Sequence, residues 1–166
     1  MIFESKMTIV FLESLIDDPS VGLPEDIFLF ISRNTPLVNV DLLIKNENND
    51  TLLTWREDCY NKQGWHIPGG IVRYKEAVAK RIKAVAVNEL GAEVKFKENP
   101  LAINEILLPI INRAHAISLL YECTLLTPLD VNRKYIKEVP KPGEWAWHSK
   151  CPDNLIIVQD IYKKFI

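Results

Sequence analysis

The apolar positions of this chain follow two different periods. Across 37–45, Leu, Val and Ile recur in partial alternation; the polar run Asn46, Glu47, Asn48, Asn49, Asp50 interrupts them, and 51–56 resumes the same character. That pattern predicts two strands joined as a hairpin. From Tyr74 onward the spacing changes: Val78, Ile82, Val85 and Ala86 recur at helical intervals, so one face packs, Glu89 is presented on another, and Gly91 ends the helix. An earlier helix is predicted from Pro24, Glu25 and Asp26, which suit a first turn, through Ile27, Phe28, Phe30 and Ile31, closing before Thr35-Pro36. Beyond Gly91, 93–96 and 105–111 read as strands, 114–125 as a longer buried strand and 144–148 as a short strand after the loop 140–143. A closing amphipathic helix is predicted over 154–165, with Leu155, Val158, Ile161 and Tyr162 inward. Strands interleaved with two or three helices predict an α+β protein, an α/β sandwich. Residues 1–22 carry no motif and are read as an extension ending in the loop cluster Asp17, Asp18, Pro19, Ser20; 23–166 form the domain.

Composition narrows the function classes. With 166 residues, 48% of them hydrophobic and 25% charged, one domain with a substantial core is expected. A formal charge of −2 gives no broad attraction to nucleic acid, so an anionic substrate must be met by local charges and a metal. Cys59, Cys123 and Cys151 are widely spaced and form no Cys-x-x-Cys pair, which predicts reduced thiols and a cytoplasmic location. No signal peptide is expected, because Glu4 and Glu13 flank the short apolar run 9–12, and no run is long enough to span a bilayer.

The chemistry concentrates between Gly64 and Gly91, GWHIPGGIVRYKEAVAKRIKAVAVNELG. Gly69-Gly70 after Pro68 predicts a tight turn that leaves carbonyls free for a ligand, and the helix behind it carries Glu76 and Glu89. The positions of Gly70, Glu76, Glu89 and Gly91 resemble the Nudix hydrolase box. Ala84, Val85 and Asn88 stand where that box has its arginine and two of its glutamates. From about Leu23 onward the chain looks like the GDP-mannose mannosyl hydrolase branch, in which the box is shortened to Glu-Leu-Gly, here Glu89-Leu90-Gly91. The segments 34–41, 52–56 and 64–70 carry the same resemblance.

The resemblance implies the Nudix fold, a mixed β-sheet between helices, and a homodimer. It implies a Mg²⁺ (or Mn²⁺) ion held by Glu89 and the Gly69 carbonyl, with water and substrate phosphates completing the shell. Arg56 and Asp41 occupy positions that the branch uses around the sugar and pyrophosphate. Its Gln-His pair is replaced by Lys141-Pro142, and its arginine after the glycine pair by Ile71. Proline can neither ligate nor accept a proton, so Glu144 becomes the candidate base, with His66, His115 and His148 as other titratable groups. Asp41, in an apolar strand, is expected to be functional or paired with an arginine, because an unpartnered buried carboxylate is costly. With Ala84 in place of the box arginine, Glu76 is expected near solvent beside Lys80. The implied function is hydrolysis of a nucleoside diphosphate sugar to nucleoside diphosphate and sugar; the alternative is a catalytically impaired domain that binds such a ligand.

Overall fold

A computed structural model describes residues 2–58, 62–107 and 115–166. At its centre is β1 (Leu37–Ile44), whose last five residues are all buried. A strand buried on both faces needs neighbours on its edges and layers above and below. β1 pairs in parallel with β7 (His115–Leu125) and antiparallel with β4 (Gly69–Ile71). β6 (Ala102–Leu107) runs antiparallel along the first half of β7, and β5 (Val94–Phe96) along its end. A second sheet holds β2 (Thr51–Asp58) between β3 (Lys62–His66) and β8 (Trp145–His148).

The expected hairpin is therefore only a turn. Asn46 closes it, its side-chain oxygen accepting from the Asn48 and Asp50 N–H groups, with Asn49 at φ 65°. Beyond the single bridge Lys45↔Thr51 the strands diverge into different sheets. β1 has apolar side chains on both faces, so it packs as an inner strand, and β2 finds its partners in β3 and β8 instead. The strand expected at 105–111 begins earlier, at Ala102; residues 108–111, with Ala114 and Cys59, lie outside the described residues.

The helices are α1 (Ile2–Ser14), α2 (Glu25–Ser32) and α3 (Val78–Val85), which runs into a π-helical turn, Ala86–Leu90. Gly91 ends that turn at φ 62°, and a Cβ there would also lie 2.7 Å from Asp130 Cβ. Alternation along β1 divides the core. Val40, Leu42 and Ile44 pack against Ile82, Val85, Ala86 and Leu90, whereas Leu43 joins Leu53, Trp55, Trp65, Ile67, Leu120 and Tyr162 on the opposite side. The tryptophan rings of 55 and 65 meet edge to face at 5.3 Å.

The closing helix is 3₁₀ rather than α, over Ile157–Phe165. Its tighter winding puts every third residue on one line. Ile156, Gln159 and Tyr162 are buried in succession, so polar Gln159 takes an inward position that an α-helical reading does not give it. Leu155 and Ile161 pack against the second core as expected, and Val158 lines a cavity. α1 leaves Met7, Ile9, Val10 and Phe11 exposed. Among the described residues no helix is long and apolar enough to cross a membrane.

Candidate functional site

A cavity of about 230 Å³ opens between the two sheets. Asn39 and Asp41 of β1, Arg56 of β2, His66 of β3, Gly69 to Ile71 of β4, His115 of β7 and Gln159 of the 3₁₀ segment line it. These five strands and the 3₁₀ segment thus converge where the chain crosses from one sheet to the other.

Gly69 and Gly70 do not form the expected turn with unusual torsion angles. Both belong to β4, opposite Asp41 and Val40, and only Gly22, Gly91 and Gly143 among the described glycines have positive φ. Space is the requirement at Gly69: a Cβ there would stand 2.1 Å from Asp41 Oδ1 and 2.8 Å from the Val40 carbonyl. At Gly70 it would stand 2.9 Å from Val85 Cγ2. The glycine pair lets β1, β4 and α3 approach closely.

Glu89 is brought onto Gly69. Its Oε1 accepts from the Gly69 N–H at 3.2 Å, and its Oε2 accepts from the Thr54 hydroxyl at 3.0 Å and lies 3.4 Å from His66 Nε2. The side chain keeps 27% exposure, which leaves it open to a ligand. The π turn that presents it is a rare local geometry concentrated at functional sites. An acid at the C-terminal end of a helix also opposes the helix dipole. In an antiparallel ladder the N–H and C=O of one residue face the same edge, so the Gly69 carbonyl shares the Glu89 side. Among the described residues no three His, Cys, Asp or Glu side chains gather as one metal-holding group, so a divalent ion here would rely on Glu89, the Gly69 carbonyl and His66.

Among the described residues no arginine pairs with Asp41. Its Oδ2 accepts from Tyr162 at 2.8 Å, Asn39 at 2.9 Å and Ser118, and its Oδ1 accepts from Gln159 at 3.2 Å. Burial pushes this carboxyl above the ordinary range, and the Ser118, Tyr162 and Asn39 hydrogen bonds offset part of that rise. Burial and the neighbouring Asp41 also raise the Tyr162 phenol. Gln159 extends the network by accepting from Ile67 N–H at 2.6 Å and donating to Ile67 O at 3.0 Å. The C-terminal segment thereby grips the linker between His66 and Gly69. Sequence reading missed Gln159 and gave His66 no role; the signal for Gln159 was a polar residue in register with Ile156 and Tyr162 at intervals of three.

Glu76 is not near solvent, and Lys80 is not its partner. Its side chain is 6% exposed, with Oε2 2.7 Å from both Nε and Nη2 of Arg81. Burial pushes the Glu76 carboxyl up, but the Arg73 N–H and the Arg81 guanidinium outweigh it and hold the group below its usual range. Arg81 thus replaces the arginine absent at Ala84. Glu144 does not line the cavity: its Oε2 accepts from the Lys141 N–H at 2.9 Å, within the loop before β8. The structure therefore brings Gly69, Asp41 and Arg56 onto one cavity, attaches Glu89 to it through the Gly69 N–H and His66, and leaves Glu144 outside it.

The chain matches no protein-family model. It is 38% identical over 81 residues to the low-salt glycan biosynthesis protein Agl8 of Haloferax volcanii, a match covering 49% of this chain and 51% of that protein. The chain thus spans about half the length of the curated relative it matches. Among solved structures it is similar to a MutT Nudix hydrolase from Burkholderia pseudomallei, 19% identical, covering 80% of this chain and 98% of that one with a TM-score of 0.63. A MutT protein from Methanosarcina mazei Go1 gives 18% identity, coverage of 79% and 94%, and a TM-score of 0.57. The fold is the Nudix fold, with one mixed and one antiparallel sheet flanked by helices.

Proposed function

We propose that the chain is a divalent-metal-dependent hydrolase of a nucleoside diphosphate sugar, GDP-mannose-like, releasing nucleoside diphosphate and free sugar. The observation that carries this reading is the meeting of Glu89 and Gly69 beside a cavity that Arg56 also lines. The fold supports a Nudix-type hydrolase, and a relative named for glycan biosynthesis is compatible with a sugar nucleotide.

A diphosphate is an anion of hard oxygens, and Mg²⁺ or Mn²⁺ at Glu89 and the Gly69 carbonyl would neutralise charge on it when bound. Arg56 offers a planar fork of donors to the same leaving group. Water adds to the sugar carbon as its bond to the diphosphate oxygen breaks, and the proton of that water passes to a base. The base is sought on the cavity wall rather than at Glu144. There His115 Nε2 stands 3.1 Å from Glu105 Oε1, a carboxylate that orients the ring. A binding domain without turnover is the second reading. It is favoured by Glu89 having both oxygens already engaged and by Asp41, the carboxyl that lines the cavity, being only 2% exposed.

Incubating the protein with GDP-mannose, GDP-glucose and other nucleotide sugars, with Mg²⁺ or Mn²⁺ and with chelator, tests both. Metal-dependent release of diphosphate and sugar is expected, and Glu89→Gln should lower it on the order of a hundredfold while the melting temperature shifts little. Binding without any product moves the assignment to the second reading. The homodimer is proposed with the activity; sedimentation of the full chain tests it, with Val10 and Phe11 of exposed α1 as the positions to vary.

A further inference from the structure

His66 is fixed in one ring orientation. Its Nδ1 lies 2.8 Å from the Thr54 carbonyl oxygen, which can only accept, so Nδ1 carries hydrogen, and in the neutral ring Nε2 holds a lone pair, 3.3 Å from the Thr54 hydroxyl oxygen. Nε2 faces Glu89 Oε2 at 3.4 Å, in a ring that is only 8% exposed. A ring nitrogen and a carboxylate oxygen facing each other across that gap need a positive charge between them, supplied either by a second ring proton, which makes an ion pair, or by a metal ion. Two donors each about 2.1 Å from one ion, subtending between a right angle and a tetrahedral angle, stand about 3.0 to 3.4 Å apart. The observed separation fits that shared position. A backbone carbonyl on the opposite ring nitrogen is also the contact that orients metal-binding histidines and raises their basicity. Gly69 brings its carbonyl to the same edge.

We propose that His66 Nε2 and Glu89 Oε2 are joint ligands of one divalent ion, and that the nitrogen donor turns the site from Mg²⁺ toward transition ions such as Mn²⁺. This inference rests on the divalent-ion reading of the site. Magnesium takes an all-oxygen shell, whereas imidazole favours first-row transition ions. His66 thus supplies from β3 a donor that the loop at Lys141 and Pro142 does not. Thr54, buried beside both, donates its hydroxyl to Glu89 Oε2 and holds the carboxylate toward the ring.

The test is pulsed EPR of Mn²⁺ on the full chain, recording nuclear modulation from coordinated nitrogen. Modulation from ¹⁴N is expected, replaced by ¹⁵N frequencies when the protein carries ¹⁵N-histidine. It should vanish in His66→Phe, with Mn²⁺ affinity falling at least tenfold, and persist in His115→Gln and His148→Gln. Mn²⁺ should bind at least tenfold more tightly than Mg²⁺, and His66→Phe should erase that preference. Should His66→Phe fail to fold, the isotope exchange together with the two other histidine variants still identifies the ligand. Bound Mn²⁺ without nitrogen modulation, modulation that survives His66→Phe, or no Mn²⁺ binding overturns the assignment. Mn²⁺ bound through oxygen alone leaves the hydrolase reading standing; nitrogen modulation without turnover of any nucleotide sugar overturns that reading and leaves His66 as a ligand.

Discussion

The Asp41 carboxyl illustrates how one residue can organise a site from inside the wall. Four side chains from β1, β7 and the C-terminal 3₁₀ segment donate to it, and Gly69 must lack a Cβ to clear it. Removing the acceptor strands those donors in a buried place, each costing about 1–3 kcal/mol if it finds no substitute. Asp41→Leu is expected to destabilise the protein by roughly 2–4 kcal/mol, read from urea unfolding at neutral pH. A change under about half a kilocalorie would show that the network does not bear on stability. Gln159 turns the same acceptor into a tether, because its amide spans from Asp41 to both backbone groups of Ile67.

At the scale of the element, the segment from Gly69 through Gly91 is held by an ion pair that its own helix supplies. Arg81 sits one turn inside α3, and its guanidinium reaches back to Glu76, which in turn accepts from the Arg73 N–H. Truncating one partner leaves the other buried and uncompensated, so Arg81→Met should cost about 3 kcal/mol, whereas Arg81→Met with Glu76→Leu should recover most of that loss. The Glu76 pair also has a defined pH response. Because its folded pKa is depressed, its stabilisation is fully present above the usual value of 4.5 and is lost as pH falls through the folded value. Thermal melts below pH 4.5 should therefore show a steeper loss for the native protein than for Glu76→Gln.

For the whole molecule, the second sheet carries a titration of the opposite chemical kind. His148 Nε2 is buried without a hydrogen-bond partner among the described residues, and burial lowers the pKa of the ring from its usual 6.5. The unfolded chain binds that proton more readily, so stability should fall as pH drops below 6.5. His148→Phe, which keeps the edge contact with Trp65 at 4.6 Å, should flatten unfolding free energy between pH 6.5 and the carboxylate range; an unchanged slope would clear His148 of that role. Burial pushes the Cys123 thiol up to about 12, so in this core it behaves as a small apolar group.

Local chemistry was sufficient for much of this architecture. Helical spacing from Val78 to Ala86, the glycine that closes it, and the strand character of 37–45 and 51–56 were legible in the sequence, because each depends on neighbours along one chain segment, whereas the link between Gly69 and Glu89 was implied only by the family resemblance. The divergence of β1 and β2 into separate sheets, the Arg81–Glu76 pair, the inward turn of Gln159 and the meeting of His66 with Glu89 depend on elements far apart in sequence. Those contacts were decided only by tertiary structure, since a burial partner, and with it the protonation and hydrogen bonding of each polar group, exists only after the layers have closed.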